Sequence, residues 1–218
     1  MKILMAILTC ESTQNRADAC HKSWIQDIQE PHDYYFYGSK TQPEKISKTW
    51  NCEPDRGEHR NGLPEKTYKM LVKSLNYNWD FLFKCDDDTY VNFDKLVEFL
   101  QQYDPKTDLY MGKAIGKHFK YAQGGAGYVL TRTAVKWCIT ELKHIYNDES
   151  KNMFAEDYSV GLALKKQGIN VTHTDSLSTP RPNLDQSHCI DAIIKIGKIT
   201  THYVMPETMK TIYESINT

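Results

Sequence analysis

The feature that most restricts this 218-residue chain is an apolar run with an acidic end: residues 79–84 read WDFLFK, and Asp86, Asp87 and Asp88 follow after one cysteine. A run that short and that apolar fits a strand buried on both faces, as in parallel sheets covered by helices. Three adjacent carboxylates repel one another unless water or a cation relieves the charge. The carboxyl ends of strands in open α/β sheets are also where ligands bind. A solvated acidic turn ahead of a helix starting near Asp94 is the bland explanation, and it fits poorly directly behind Phe81-Leu82-Phe83. The expectation is a magnesium or manganese ion held by oxygen ligands and bridging to phosphate. An EF-hand is excluded, because residues 86–91 have neither alternating acids nor the required glycine. A phosphoaspartyl loop of the form Asp-x-Asp-x-Thr matches weakly, since Thr89 directly follows Asp88.

The rest of the chain supplies a frame for that strand. Residues 3–9 read as a first strand, 15–28 as a helix with Ala17, Cys20, Trp24 and Ile28 on one face, and 34–37 as a second strand ended by Gly38. Residues 41–63 hold Pro43, Pro54, Gly57 and Gly62 and read as irregular. Helices are expected over 65–76 and 94–103, on either side of the 79–84 strand. Strand and helix in alternation imply an α/β architecture around a largely parallel sheet. Further on, the cluster Gly124-Gly125-Ala126-Gly127 leads into a strand at 128–130. Helices follow over 133–146 and 156–167, the second stopped by Gly168, with a strand over 169–172 and only loose assignments beyond.

Bulk properties remove several function classes. The net charge is −1, which gives no support to a nucleic-acid or membrane-surface partner. The apolar run Ile3–Leu8 is six residues long, short of a signal sequence and of the about 20 that a spanning helix needs. The six cysteines form no CxxC pair, which argues against zinc and for reduced thiols in a cytoplasmic protein. The sequon at Asn170 would then carry no sugar. No linker or repeat divides the chain, so one domain over 1–218 is expected.

Four segments then carry a resemblance. Residues 84–91, KCDDDTYV, resemble the K-x-D-D-D-T-Y-V signature of the fringe and core-1 β1,3-galactosyltransferase group of glycosyltransferases (family 31). Residues 121–130, YAQGGAGYVL, resemble its GGAGYVLS segment, and 156–161, EDYSVG, its E-D-V-x-x-G. His202-Tyr203-Val204 with Pro206 and Met209 resembles its F-H-Y-V-x-P-x-x-M, and Arg16 with Ser23-Trp24 weakly echoes an N-terminal R…TW element. The segments fall in the family's order across residues 84–209.

The resemblance implies a GT-A fold, with a Rossmann-like nucleotide half over about 1–110 and an acceptor and base half over about 111–218 sharing a mixed, mostly parallel sheet flanked by helices. It implies a UDP-sugar donor, a glycan or glycoprotein acceptor and an inverting transfer. Asp88, with Asp86, would hold the metal and His202 would complete the shell; imidazole beside carboxylates suits manganese better than magnesium. Asp86, Asp87, Gly124 and Gly125 would meet the donor, with the glycines letting backbone approach the sugar. Asp157 would be the general base and Glu156 its neighbouring alternative, although acids at a helix N-terminus are also favourable against the dipole. Thr9, Glu11 and Arg16 match positions that meet uracil and ribose, and Lys66 matches a donor-side lysine; plain surface charge explains Arg16 and Lys66 equally well.

Family members of the secretory pathway carry an N-terminal anchor and stem. This chain starts at the first strand, so a cytoplasmic bacterial, phage or viral enzyme, acting in host cytoplasm if viral, is the expectation. The competing functions are a retaining GT-A transferase, a metal-dependent phosphohydrolase or nucleotidyltransferase using the same aspartates, and a non-catalytic sugar- or nucleotide-binding module.

Overall fold

The computed structural model describes residues 1–38, 48–55, 62–148, 155–180 and 185–218. The first half runs β1 (Ile3–Leu8), α1 (Gln14–His21), β2 (Asp33–Gly38), β3 (Thr49–Asn51), α2 (Leu63–Ser74), β4 (Phe81–Asp86), β5 (Tyr90–Val91) and α3 (Phe93–Leu100). The second runs β6 (Tyr110–Gly112), β7 (Ala114–Ile115), β8 (Tyr121–Ala122), β9 (Tyr128–Thr131), α4 (Arg132–Asn147), α5 (Glu156–Lys166), β10 (Thr172–His173), β11 (Leu177–Ser178), α6 (Ser187–Ile194), β12 (Thr200–Thr201) and α7 (Pro206–Asn217).

The central sheet has the order β10-β6-β9-β4-β1-β2-β3. β1 pairs in parallel with both β2 and β4, while β9 is antiparallel to β4 and β6 and so reverses the sheet once. Side chains alternate across each strand, which sorts the core into two layers. Ile3, Met5, Ile7, Phe81, Phe83 and Cys85 face α1, α3, α6 and α7; Leu4, Ala6 and Leu82 face α2, α4 and α5. The same alternation sends Lys84 to the α5 side and lets Asp86 emerge from the end of β4, so the first aspartate of the cluster is a strand residue.

Several expectations shift. The helix expected over 15–28 is broken: α1 ends at His21, and a 3-10 turn covers Trp24–Asp27. Ser23 causes the break, its hydroxyl bonding back to the Ala19 carbonyl at 2.7 Å in competition with the helical ladder. The strand expected over 169–172 is paired only at Thr172–His173. The apolar signal of Ile169 belongs instead to the end of α5: Gly168 adopts φ 77°, and the Gly168 and Ile169 amides bond to Lys165 and Leu164 carbonyls. That is the left-handed stop in which the apolar pair Leu164 and Ile169 closes the helix. Within the span read as irregular, residues 41–47 and 56–61 lie outside the described residues, and the described part contains β3, parallel to β2.

One small sheet decides where the site forms. β12 pairs antiparallel with β5 through Thr200–Val91 and Thr201–Tyr90, and in parallel with β11. The pairing draws residues 200–204 against the chain just after the aspartates. The Val204 amide then bonds the Asp88 carbonyl at 2.9 Å.

Candidate active site

Asp86, Asp88 and His202 each offer one ligand atom within 4.8 Å of the others. His202 Nε2 lies 2.9 Å from Asp88 Oδ1 and 3.9 Å from Asp86 Oδ2. Arg16 Nη1 donates to the other Asp88 oxygen at 3.1 Å. Burial works against ionisation of Asp88, but the His202 hydrogen bond and charge, aided by Arg16, hold its carboxyl below the ordinary value. Among the described residues this is the group of carboxylate and imidazole donors that could close on one ion.

The ring of His202 reaches this position because Gly125 has no side chain: a Cβ there would overlap the imidazole. His202 Nδ1 is buried without a hydrogen-bond partner among the described residues. Tyr203 stacks on the His202 ring with centroids 3.8 Å apart, and it holds a left-handed backbone at φ 62°. Such a conformation costs a tyrosine about 1 kcal/mol or more and persists where the surroundings enforce it. Here Gln186 enforces it, its amide donating to the Tyr203 carbonyl at 3.0 Å and accepting from the Met205 amide at 2.9 Å.

Asp87 has a different placement. It is 4% exposed and accepts hydrogen bonds from the hydroxyls of Thr9 and Thr13, and burial pushes its carboxyl up to about 7 despite them. Thr9, expected near the nucleotide, is thus committed to Asp87 on the adjacent strand end. Glu11 is exposed at the start of the 3-10 turn Glu11–Thr13. Lys66 is 2% exposed in α2, which removes surface charge as its explanation.

Under the glycine loop lies a buried charge network. Lys84 Nζ contacts Glu156 Oε1 and, at 2.7 Å, Asp86 Oδ1, and Tyr128 donates to Glu156 Oε2 at 3.1 Å. Burial disfavours the Lys84 charge, but the two carboxylates more than offset this and raise its pKa well above the usual value. Burial likewise pushes Glu156 up to about 7, with Lys84 opposing. Asp157, the next residue, is only half-buried; its two oxygens accept from the Gly124 amide at 3.0 Å and its neighbour Tyr158's amide at 2.8 Å. A cavity of about 290 Å3 is lined by Asp86, Gly124, Gly125, Glu156, Asp157 and His202, with Tyr203 at its edge. A larger hollow of about 640 Å3 between α1 and α7 gathers none of these groups.

A family model described as Fringe-like matches residues 1–212. The chain belongs to the Fringe-like family. It is 25% identical over 190 residues to a β-1,3-glucosyltransferase of Mus musculus, covering 83% of this chain and 37% of that protein. It is 28% identical over 187 residues to a glycoprotein-N-acetylgalactosamine 3-β-galactosyltransferase of Xenopus laevis, covering 72% of this chain and 51% of that one. The Fringe-like chain therefore spans about a third to a half of the length of these relatives. Its fold is that of GT-A glycosyltransferases: a crystal structure of a glycosyltransferase involved in glycosylation of the major capsid of PBCV-1 superposes with a TM-score of 0.59 at 12% identity, over 97% of this chain and 99% of the other. No helix among the described residues is long and apolar enough to cross a membrane.

Three further residues of this Fringe-like site lay outside the site read from sequence. Lys84 had a signal, a charge inside an apolar strand, which is seldom fully buried unless paired. Thr13 and Gln186 had none, because their roles depend on contacts across 74 and 17 residues of chain.

Proposed function

We propose that this chain is a metal-dependent glycosyltransferase that moves a sugar from a UDP-sugar to a hydroxyl of a glycan or glycoprotein acceptor, with inversion. The observation that carries this reading is a single cavity lined both by members of a carboxylate–imidazole metal cluster and by a separate, half-open carboxylate, Asp157. In this reading residues 1–110 bind the donor and 111–218 bring the acceptor and the base. Asp86, Asp88 and His202 would hold a divalent ion, with manganese favoured by the mixed oxygen and nitrogen donors, and it would supply compensation for charge on the leaving diphosphate.

Asp157 takes the proton of the acceptor hydroxyl while that oxygen bonds to the anomeric carbon. The bond from that carbon to the diphosphate breaks, and its electron pair leaves with UDP. The two amides on Asp157 fix the carboxylate's orientation for this task. Glu156 is a poorer base, because Lys84 and Tyr128 occupy its two oxygens. Arg16, tied to Asp88 but half-exposed, would meet the donor in this reading.

The test is proton NMR of each UDP-sugar of a panel incubated with the protein and manganese. One UDP-sugar is expected to release its sugar slowly with inverted anomeric configuration, at least about 100-fold more slowly in Asp157→Asn. An unchanged rate in that variant removes Asp157 as the base, and no consumption of any UDP-sugar removes the transferase reading.

A further inference from the structure

Three aromatic rings, two on the β7–β8 hairpin and one on α5 next to Asp157, belong to neither layer of the hydrophobic core. Phe119, Tyr121 and Tyr158 pack on one another with centroids 5.6, 4.9 and 5.4 Å apart, and all three are only half-buried. None of them contributes to the two core layers. Neither tyrosine hydroxyl has a hydrogen-bond partner among the described residues. Rings that face water without serving the core, with polar tips left free, have the chemistry of a binding surface more than of packing.

Their placement names the ligand. Tyr158, Gly161 and Lys165 follow one another along one side of α5 at intervals of about one turn, and Asp157 lies one turn before Gly161. The β7–β8 hairpin lies on that face, and it can do so because Gly161 has no side chain; a Cβ would collide with Tyr121. The ammonium of Lys165 covers Phe119 at 4.9 Å and closes the far end. Burial first, then the charge of Asp157, pushes the Tyr121 hydroxyl up, which places that ring within electrostatic reach of the carboxylate.

We infer that Phe119, Tyr121 and Tyr158 form the acceptor subsite, a platform on which the apolar face of a pyranose ring stacks with a hydroxyl directed at Asp157. The inference rests on the transferase reading, since it takes Asp157 as the base. It extends that reading by assigning acceptor contact to the hairpin 114–122 and α5, away from the donor-side aspartates. Stacking of this kind is tolerant of sugar identity, and the two free hydroxyls are the groups that would choose among epimers.

The experiment is saturation-transfer NMR on the protein with UDP and manganese, using the methyl glycosides of galactose, glucose, N-acetylgalactosamine and fucose as probes. At least one probe is expected to receive saturation on its ring protons. The signal should fall about fivefold or more in Tyr158→Ala and persist in Tyr158→Phe, as aromatic stacking requires. Phe119→Ser, on the hairpin, is the second variant and is expected to lower the signal as well; it decides the matter if Tyr158→Ala no longer folds. Saturation of no glycoside by a wild-type protein that binds UDP would overturn the subsite while leaving the donor site standing. Undiminished signal in the folded variants would overturn it too. Failure of the wild type to bind UDP with any divalent ion would remove the transferase reading and the subsite with it.

Discussion

Lys84→Met removes the buried cation that neutralises Glu156 and Asp86, and its cost should depend on pH. The Lys84 side chain is 1% exposed, that of Glu156 7% and that of Asp86 27%. Removing one partner of a buried pair costs about 3–5 kcal/mol when the other is left charged. Asp86 can be relieved by water, but Glu156 cannot. It can instead take a proton: burial already sets its carboxyl at about 7, and loss of the lysine raises it further. A carboxyl whose folded value lies above its unfolded one contributes stability that is complete below the unfolded value and is lost as pH rises through the folded value. Between those two values each pH step costs roughly 1.4 kcal/mol, and above the folded value the loss is complete.

Urea unfolding of the metal-free protein should therefore show Lys84→Met destabilised by about 1–2 kcal/mol near pH 6, where Glu156 is neutral, and by about 3–4 kcal/mol near pH 8. Adding Glu156→Gln should recover about 2 kcal/mol near pH 8 and nothing near pH 6. Equal destabilisation at both pH values, or no recovery in the double variant, would refute the charge network as the reason Lys84 is buried.

Two further outcomes follow from the same geometry. Gly125→Ala should push the His202 ring off Asp88, because the new methyl occupies the imidazole's place. Manganese affinity measured by electron paramagnetic resonance should fall about 10-fold or more, and stability by about 1–3 kcal/mol. Asp87→Asn keeps an acceptor for Thr9 and Thr13 while removing a carboxyl that burial raises to about 7. Because the folded value is the higher one, the wild type loses the Asp87 contribution between about pH 4 and pH 7 and the variant does not. The variant should gain stability on the wild type across that range, with roughly 4 kcal/mol as the ceiling. Parallel pH profiles in thermal unfolding would contradict it.

The sheet was legible where runs were long and apolar. The runs of β1 and β4 pointed to buried parallel strands, and both lie at the sheet's centre beside each other. The bounds of α4 were readable within a residue from its apolar spacing, and those of α5 within a residue from its stop at Gly168. The aspartate cluster was visible as charge behind an apolar strand, but which aspartates converge came only from the family resemblance and not from the pattern itself. Neighbouring residues on an extended chain leave in different directions, so Asp86 and Asp88 meet His202 while Asp87 turns to two threonines. His202 carried no signal in its own neighbourhood beyond family resemblance. Its place depends on β5 and β12, two-residue strands too short to show any period. The aromatic platform was equally hidden, since it joins a two-residue strand to a helix face about 40 residues away.

The central claim, that Asp86, Asp88 and His202 make a metal-dependent donor site, is tested most directly by calorimetric titration of the protein with UDP, with and without manganese, for wild type and Asp88→Ala. UDP should bind the wild type only with manganese present, and the heat of binding should disappear in Asp88→Ala while the variant stays folded. UDP binding that is indifferent to manganese, or that survives in Asp88→Ala, would contradict it.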